Sequence, residues 1–365
     1  MRKIDPWRVD WEFLAAALAV IALGLPFLRS SASSADFVRQ IVWLAFGLAA
    51  MIVFALVDHH RWMRFAYWGY AASLLLLIVV LRAPPINNAH SYLRFGPIGM
   101  QPSELLKLTL ILALARHLGK RENQRMPQGL ILPFLITLAP LYLILRQPDL
   151  GTALTIPPIL LVMLWMSGAR FSHLFSGILL GLASIWPLWE YVMRPYQKAR
   201  IYAFLDPERY ETAEAYQLLM SLAAIGSSGV FGQGLGNGII NELDLLPEKH
   251  NDFIFGVIAE EGGWVAAAGM ILLFLVLTLI GFHISVNAQD RFGRLLAAGA
   301  ATIIGWQAVL NIYVVTGLLP TTGVTLPLVS YGGSSMVVTC ALIGLVLNVS
   351  QSSPKLEKME NPDKI

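Results

Sequence analysis

Ten long apolar runs, separated by short polar segments, constrain the fold of this chain more than any other feature. Each run is long enough to cross roughly 30 Å of hydrocarbon as a helix. The runs lie near residues 11–28, 37–57, 65–82, 102–118, 129–145, 151–168, 172–190, 253–283, 295–317 and 326–349. Only 13% of the residues are charged, against about 25% in soluble proteins. We therefore predict an all-α polytopic membrane protein with about ten transmembrane helices.

The runs leave no room for a sizeable soluble domain. We predict a single integral membrane domain over residues 1–365, with a short cytoplasmic tail at about 350–365. The run 253–283 is too long for one upright helix and contains Gly262-Gly263, so we expect it to tilt or kink. The single cysteine, Cys340, excludes an intrachain disulfide and a cysteine metal cluster.

The distribution of Lys and Arg predicts the orientation. With the N-terminus inside, most basic residues of the loops and tails fall on the cytoplasmic side, which is their usual location. The short outer connections receive only Arg29, Arg39, Arg82, Arg94 and Arg146. We therefore predict that both termini are cytoplasmic and that the one long loop, about 191–252, is extracytoplasmic. Apolar residues crowd one face of 216–225, which predicts a short interfacial helix in this loop.

The end of this loop carries an unusual density of ionisable groups, and such groups at a membrane boundary usually have a function. They are Glu248, Lys249, His250 and Asp252, followed by Glu260 and Glu261 two turns into the next apolar run. Asp252 is the candidate catalytic residue, because it ends a water-accessible loop immediately before an apolar segment. We expect Lys249 and His250 to favour its ionised form. A metal-binding role for His250 is the weaker reading, because no partner has ligand spacing.

The segment Gln101-Pro102-Ser103-Glu104-Leu105-Leu106-Lys107 begins the fourth run. Helical spacing places Glu104 and Lys107 on one face, close enough to pair. One interpretation is a structural ion pair between helices. The favoured interpretation is a polar cavity wall, in which Lys107 is available to an anion.

Further candidates for substrate binding lie in the outer turns. Asp149 either caps the helix that follows it or contributes to a binding site. Arg200 and Lys249, together with Lys107, would suit a phosphorylated lipid headgroup. Ser330 and Ser334 lie in a break before the last run, which is either a helix entrance or a set of donors lining a cavity.

Several segments, in this order, resemble the shape, elongation, division and sporulation family, whose members include RodA and FtsW. They are QPSELLKL, QPDLGTAL, YQLLMSLAAIGSSGVFGQGLGNG, LPEKHNDFIFGVIAEE and VTGLLPTTGVTLPLVSYGGSS, and the resemblance extends from about residue 40 to residue 349. It implies a ten-helix peptidoglycan glycosyltransferase that polymerises lipid II and works with a class B penicillin-binding protein. The proposed catalytic aspartate of the family falls on Asp252, and its QPSE-x-x-K pair falls on Glu104 and Lys107. The aspartate of its QPDLG segment falls on Asp149.

The chain departs from the family pattern at one position. Many members have an arginine before the QPSE segment where this chain has Ser91, and Arg94 is the nearest arginine. The short termini and QPDLGTAL are more similar to RodA than to FtsW, whereas the segment LGNG is not.

The prediction is a glycosyltransferase of cell elongation and shape in the bacterial cytoplasmic membrane, which joins lipid II units at its outer face. A lipid II flippase, a division-branch polymerase and an activating scaffold are the alternatives. Membrane lipids and the elongation or division machinery are expected partners, and nucleic acid is not. A divalent cation, Mg²⁺ or Mn²⁺, is a candidate cofactor. The sequence contains no evident set of ligands for it.

Overall fold

The computed structural model describes residues 9–82, 92–95, 98–120, 123–207, 209 and 213–352. The first seven helices are α1 (Trp11–Ser31), α2 (Ser34–Leu56), α3 (His59–Val80), α4 (Pro102–Lys120), α5 (Gln128–Arg146), α6 (Leu150–Met166) and α7 (Phe171–Ala183). The chain continues through α8 (Ile185–Pro187), a π-helical turn (Leu188–Val192), α9 (Pro195–Leu205), α10 (Ala213–Gly226) and α11 (Ile239–Glu242). The last three helices are α12 (Ile254–Val286), α13 (Arg291–Val315) and α14 (Gly333–Ser352).

Eight helical segments of the described chain are long and apolar enough to cross a bilayer: α1, α2, α3, α5, α7 with its extension to Val192, α12, α13 and α14. Helices α4 and α6 occupy the other two predicted runs and have 19 and 17 residues. At about 1.5 Å per residue they extend roughly 25–29 Å. All ten predicted runs are therefore helical, and the predicted all-α polytopic fold is confirmed.

A short hairpin contains the two strands of the described part of the chain. Strands β1 (Leu93–Phe95) and β2 (Ile98–Met100) pair antiparallel directly before α4. These strands were not predicted from the sequence, because two three-residue strands give little alternation of apolar and polar residues.

Successive bundle helices run in alternate directions, so the bundle has two ends. One end carries α9, α10 and α11 and the hairpin, and we call it the loop end. At the opposite end, the backbone N–H of Asp10 donates to Ser350 Oγ, which brings the two described chain ends together. The predicted long loop is thus a cluster of three short helices at one end.

Helices α4, α13 and α14 are the most enclosed, and α2 packs along α14. Glycines permit this close packing, as small residues do at helix interfaces in membranes. A Cβ on Gly344 would come within 2.3 Å of Met51 O, and one on Gly47 within 3.0 Å of Cys340 Sγ. The enclosed helices carry the polar side chains of the site described below.

Helix α12 breaks at Gly263, where φ is 71° and ψ is −172°. The backbone groups released by the break pair with the glycine-rich segment 229–234 of the loop. The N–H groups of Gln233 and Gly234 donate to the carbonyls of Glu260 and Glu261, while those of Trp264 and Val265 donate to Gly229 and Val230. The predicted kink is confirmed, and its irregular backbone is satisfied by protein.

The two glutamates beside the break are structural in their contacts. The Glu260 carboxylate accepts from the backbone N–H groups of Ile240 and Asn241, at 2.7 and 3.2 Å. Glu261 Oε1 accepts from Ser30 Oγ and from Asn241 Nδ2, at 2.5 and 2.6 Å. They fasten α11 and the end of α1 to α12.

The predicted interfacial helix is α10. Ala215, Leu218, Ser221 and Ala224 form its buried face, and Ser221 Oγ donates to Val315 O at 2.7 Å. The opposite side exposes Tyr216, Leu219 and Leu222. The buried face of this amphipathic helix thus covers the ends of α12 and α13 at the loop end.

Candidate functional site

A cavity of about 1000 Å³ opens among α2, α4, α13 and the segments that lead into α12 and α14. Its polar lining includes Gln101, Glu104, Lys107, Arg200, Glu248, Asn251, Asp252, Gln307, Thr325, Tyr331, Ser334 and Ser335. The structure therefore brings five of the eight predicted site residues to one cavity: Asp252, Glu104, Lys107, Arg200 and Ser334.

Asp252 lies in the turn before α12 and is half-buried in the cavity wall. Burial, together with the neighbouring Glu248 carboxylate, raises the pKa of its carboxyl to about 7 against the opposing charge of Arg200. Asn311 fixes the backbone here, since its Nδ2 donates to the carbonyls of both Asp252 and Val324 at 2.7 Å. A carboxyl of this kind, held in place and titrating near neutral pH, suits a general base.

The expected assistance from Lys249 and His250 is wrong. Lys249 Nζ donates to Asn241 O at 2.6 Å and pairs with Asp244 at 3.0 Å, so its charge is engaged beside α11. The His250 ring contacts Tyr331 edge-on, and its carbonyl accepts from the Tyr331 N–H at 2.8 Å. Neither side chain lines the cavity. The pKa of Asp252 is raised by burial and is not lowered by these two residues.

Glu104 and Lys107 form the predicted pair, with Lys107 Nζ 2.7 Å from Glu104 Oε1. Their side chains are 8% and 3% exposed. Lys107 Nζ also donates to Gln307 Oε1 at 3.0 Å, and Gln307 Nε2 donates to Thr325 O at 3.2 Å. The pair lies in the cavity wall and connects two helices, so both interpretations from the sequence describe part of its environment.

Asp149 caps α6, because its Oδ1 accepts from the Thr152 N–H at 3.0 Å. Its Oδ2 accepts from Thr152 Oγ1 at 2.8 Å and from Gln101 Nε2 at 3.1 Å. Burial raises the pKa of Asp149, while its hydrogen bonds with Thr152 lower it. Asp149 does not itself line the cavity, but it holds the lining residue Gln101.

The two serines before the last run differ in role. Ser334 lines the cavity, and its Oγ accepts from the Gln101 N–H at 3.1 Å. Ser330 faces away from the cavity: its Oγ accepts from the Leu326 N–H at 2.7 Å, and its carbonyl accepts from Gln40 Nε2 at 3.1 Å. The Ser330 side chain therefore stabilises a turn and is not one of the residues that line the cavity.

Two further functional candidates, not predicted from the sequence, are Gln307 and Asn311, which lie four residues apart on one face of α13. Both are buried, and both connect the cavity to the backbone of 324–325. A signal for them existed, since polar residues inside a membrane-spanning run face protein partners and not lipid. Ser91 and the tail after residue 352 lie outside the described residues.

For a divalent cation, Glu248 and Asp252 are the neighbouring carboxylates in the described cavity wall. Mg²⁺ is commonly held by one or two carboxylates together with substrate phosphates, so Glu248 offers one such ligand while Asp252 remains available as a base.

Residues 13–355 match the family of FtsW, RodA and SpoVE, which is described as "Cell cycle protein". The chain belongs to this family. It is 37% identical over 359 residues to the "Probable peptidoglycan glycosyltransferase FtsW" of Geobacter metallireducens, covering 94% of this chain and 95% of that protein. It is 34% identical over 321 residues to the "Peptidoglycan glycosyltransferase MrdB" of Escherichia coli, covering 88% of this chain and 87% of that protein.

A chain of known structure has a similar fold. A chain from work on "Structural coordination of polymerization and crosslinking by a peptidoglycan synthase complex" superposes with a TM-score of 0.82 and is 36% identical. The match covers 94% of this chain and 98% of that chain. The resemblance derived from the sequence is confirmed.

Proposed function

We propose that this member of the family polymerises lipid II into glycan strands at the outer face of the bacterial cytoplasmic membrane. The enzyme class is supported by its relatives, which are named peptidoglycan glycosyltransferases. The observation that carries the proposal is the half-buried Asp252, whose pKa is about 7 and which faces a cavity containing Glu104, Lys107 and Arg200. The cavity therefore combines a base with cations, as glycosyl transfer with a diphosphate leaving group requires.

Asp252 would act on the acceptor. In the transfer, a sugar hydroxyl oxygen of one substrate forms a bond to the anomeric carbon of the other, and the bond from that carbon to the diphosphate breaks. Asp252 takes the hydroxyl proton as the new bond forms. The contacts of Asn311 with the carbonyls of Asp252 and Val324 hold this base in position.

The departing diphosphate needs positive charge. Lys107 and Arg200 line the same cavity, and preorganised cations stabilise charge that develops in the transition state. Gln307 and Glu104 fix the Lys107 ammonium group by hydrogen bonds, so that it need not reorganise. Mg²⁺ or Mn²⁺, with Glu248 as its carboxylate ligand beside the base Asp252, would neutralise further diphosphate charge.

The polyprenyl tails need an apolar exit. Val38, Val42 and Phe46 of α2 line the cavity at helical spacing and are 61%, 49% and 60% exposed. The cavity therefore opens sideways along an apolar helix face, where a lipid tail would remain in hydrocarbon while its headgroup reaches Asp252.

The partner, branch and location belong to the same proposal. A class B penicillin-binding protein is the proposed partner, and the superposed chain from a complex that coordinates polymerization and crosslinking supports it. The similar identities to FtsW and MrdB, 37% and 34%, support a role in cell-wall synthesis for either division or elongation. We place the loop end outside and both termini in the cytoplasm, following the basic residues.

The test is polymerisation of purified lipid II by the detergent-solubilised protein, with and without the partner. Glycan strands resolved by electrophoresis are the expected product, and Asp252→Asn protein purified in the same way controls for contaminating glycosyltransferases. If the protein instead moves lipid II across liposome membranes and forms no polymer either with or without the partner, that result would replace the proposed polymerase activity with a flippase activity.

A further inference from the structure

A second polar cluster lies at the end of the bundle opposite the cavity. It consists of Asp58, His59 and His60, at the corner between α2 and α3, and Asp290, which precedes α13. Asp290 caps α13, with its Oδ2 accepting from the Gly293 N–H at 2.8 Å. The function proposed above uses none of these residues.

The hydrogen bonds of His59 determine which ring nitrogen carries a proton. Asn348 Nδ2 donates to the carbonyls of Ala55 and Val57, at 2.8 and 3.0 Å. Its Oδ1 must therefore be the acceptor that lies 2.8 Å from His59 Nδ1. Nδ1 of this buried imidazole therefore donates to Asn348, and Nε2 faces Asp290, where it either carries a second proton or binds a metal.

His60 has the same arrangement. Its Nδ1 lies 3.0 Å from Asp58 Oδ1, a carboxylate oxygen that can only accept. The backbone N–H of His60 donates to the same oxygen at 2.9 Å, which orients the carboxylate. The proton of this ring is therefore on Nδ1, and Nε2 is the nitrogen available as a ligand.

Both Nε2 atoms turn towards the Asp290 carboxylate. His59 Nε2 lies 3.0 Å from Oδ1, and His60 Nε2 lies 3.9 Å from Oδ2. Two ligands at about 2.0–2.1 Å from one tetrahedral Zn²⁺ lie about 3.3–3.4 Å apart, between these two distances. We propose that His59, His60 and Asp290 bind a divalent transition metal of the Zn²⁺ type.

The surroundings match those of protein metal sites. Histidines that bind metal usually donate their other N–H to a carboxylate or a carbonyl, as His59 does to Asn348 and His60 does to Asp58. Three protein ligands leave a further position for water. The side chain of His60 is 52% exposed, so an ion has access from solution.

The bound ion would connect three parts of the bundle. His59 and His60 begin α3, Asp290 begins α13, and Asn348 belongs to α14. The metal would therefore stabilise the packing of these helices at the end opposite the cavity. The competing reading is an imidazolium of His59 paired with Asp290 without a metal.

Zinc binding by the intact protein tests the proposal. The full-length chain, purified without a polyhistidine tag and stripped with a chelator, is titrated with ZnCl₂ and followed by calorimetry and thermal melting. We expect one high-affinity Zn²⁺ per chain and a melting temperature that rises with zinc. Co²⁺ should give the visible absorption of a histidine-bound ion.

Three variants separate the metal from general effects on folding. His60→Ala removes an exposed ligand and should weaken zinc affinity by at least about 100-fold, whereas Asp58→Asn retains an N-cap and should weaken it by about 10- to 100-fold. His173→Ala, at the same end of the bundle, should bind zinc like the unmodified protein. Equal zinc affinity in His60→Ala and the unmodified protein would overturn the proposal. The proposal would also be overturned if the melting temperature of the unmodified protein did not change with zinc and rose only as the pH fell. That is the behaviour expected of the imidazolium pair without a metal.

Discussion

The ionisation of Asp252 sets the expected pH dependence of the reaction. The pKa of its carboxyl is raised to about 7, chiefly by burial, and a general base works only when ionised. The polymerisation rate should therefore fall tenfold per pH unit below about 7 and reach a plateau above it. The rate is measured as kcat/KM for lipid II between pH 5 and 9.

A profile that stays flat down to pH 5 would contradict this role, because an ordinary aspartate titrates near 4. Glu248→Gln gives a second check on the same group. The Glu248 carboxylate helps to raise the pKa of Asp252, so its removal should move the acid limb to lower pH.

Glu104 and Lys107 should be coupled in stability. Neutralising one member, as in Lys107→Met or Glu104→Gln, leaves the other charge buried, at a cost of about 3–5 kcal/mol. The double variant should lose clearly less free energy of unfolding than the two single variants lose in sum. Thermal melting of detergent-solubilised protein measures this cycle.

The exposed pair of Arg39 and Asp36 supplies the control for that cycle. Its atoms are 3.2 Å apart and the Arg39 side chain is 62% exposed, so Arg39→Gln should change the free energy of unfolding by less than about 1 kcal/mol. If single variants of Glu104 and Lys107 have the melting temperature of the unmodified protein, an unpaired charge at these positions does not destabilise the fold, and the prediction is contradicted.

A residue's contacts could be predicted from the sequence only where the partners lie close together along the chain. The Glu104–Lys107 pair is local in sequence, so helical spacing was sufficient to predict it. Lys249 lies three residues from Asp252, yet it turns to Asn241 and Asp244. The contact of Asn311 with Asp252 spans 59 residues, and no local pattern indicates such a pair.

The break in α12 depends on Gly263. Its φ of 71° and ψ of −172° are accessible almost only to glycine, and a Cβ there would lie 2.2 Å from Gly232 N and 2.4 Å from Val230 O. Gly263→Ala should therefore destabilise the protein by more than about 3 kcal/mol or prevent its folding, as judged by yield and melting.

Gly269 of the same helix provides a matched control. A Cβ there meets nothing closer than Leu23 Cδ2 at 4.0 Å, so Gly269→Ala should leave the melting temperature unchanged or raise it. Equal behaviour of the two alanine variants would contradict the account of the break.

The elements differ in how well the sequence predicted them. Apolar run length fixed the ten bundle helices, and Gly262-Gly263 predicted the break in α12. The pairing of that break with residues 229–234 was not predictable, because it joins segments about 30 residues apart through backbone atoms. The β1–β2 hairpin was missed because it is too short for a periodic signal.

The orientation of the whole bundle can be tested with a single introduced thiol. The one natural cysteine, Cys340, is buried, and Cys340→Ser gives the background. Asp206→Cys at the loop end should react with an impermeant maleimide in spheroplasts, whereas Asn287→Cys should react only after permeabilisation. The reverse labelling would place Asp252 in the cytoplasm and remove the proposed substrate from its reach.

The proposed function of the whole molecule rests on Asp252 acting on bound lipid II. Asp252→Asn keeps the size of the side chain but cannot accept the proton, so polymerisation should fall about 100- to 10,000-fold. Because burial disfavours the charge, the variant should melt no lower than the unmodified protein at pH 8, above the pKa of Asp252. Asp244→Asn is the control, since this loop carboxylate is 84% exposed and lies outside the cavity.

The decisive comparison measures glycan-strand formation and lipid II binding together for the unmodified protein, Asp252→Asn and Asp244→Asn. We expect all three to bind lipid II, and only Asp252→Asn to lose polymer formation. A folded, lipid-binding Asp252→Asn protein that still makes near-normal polymer would contradict the proposed mechanism.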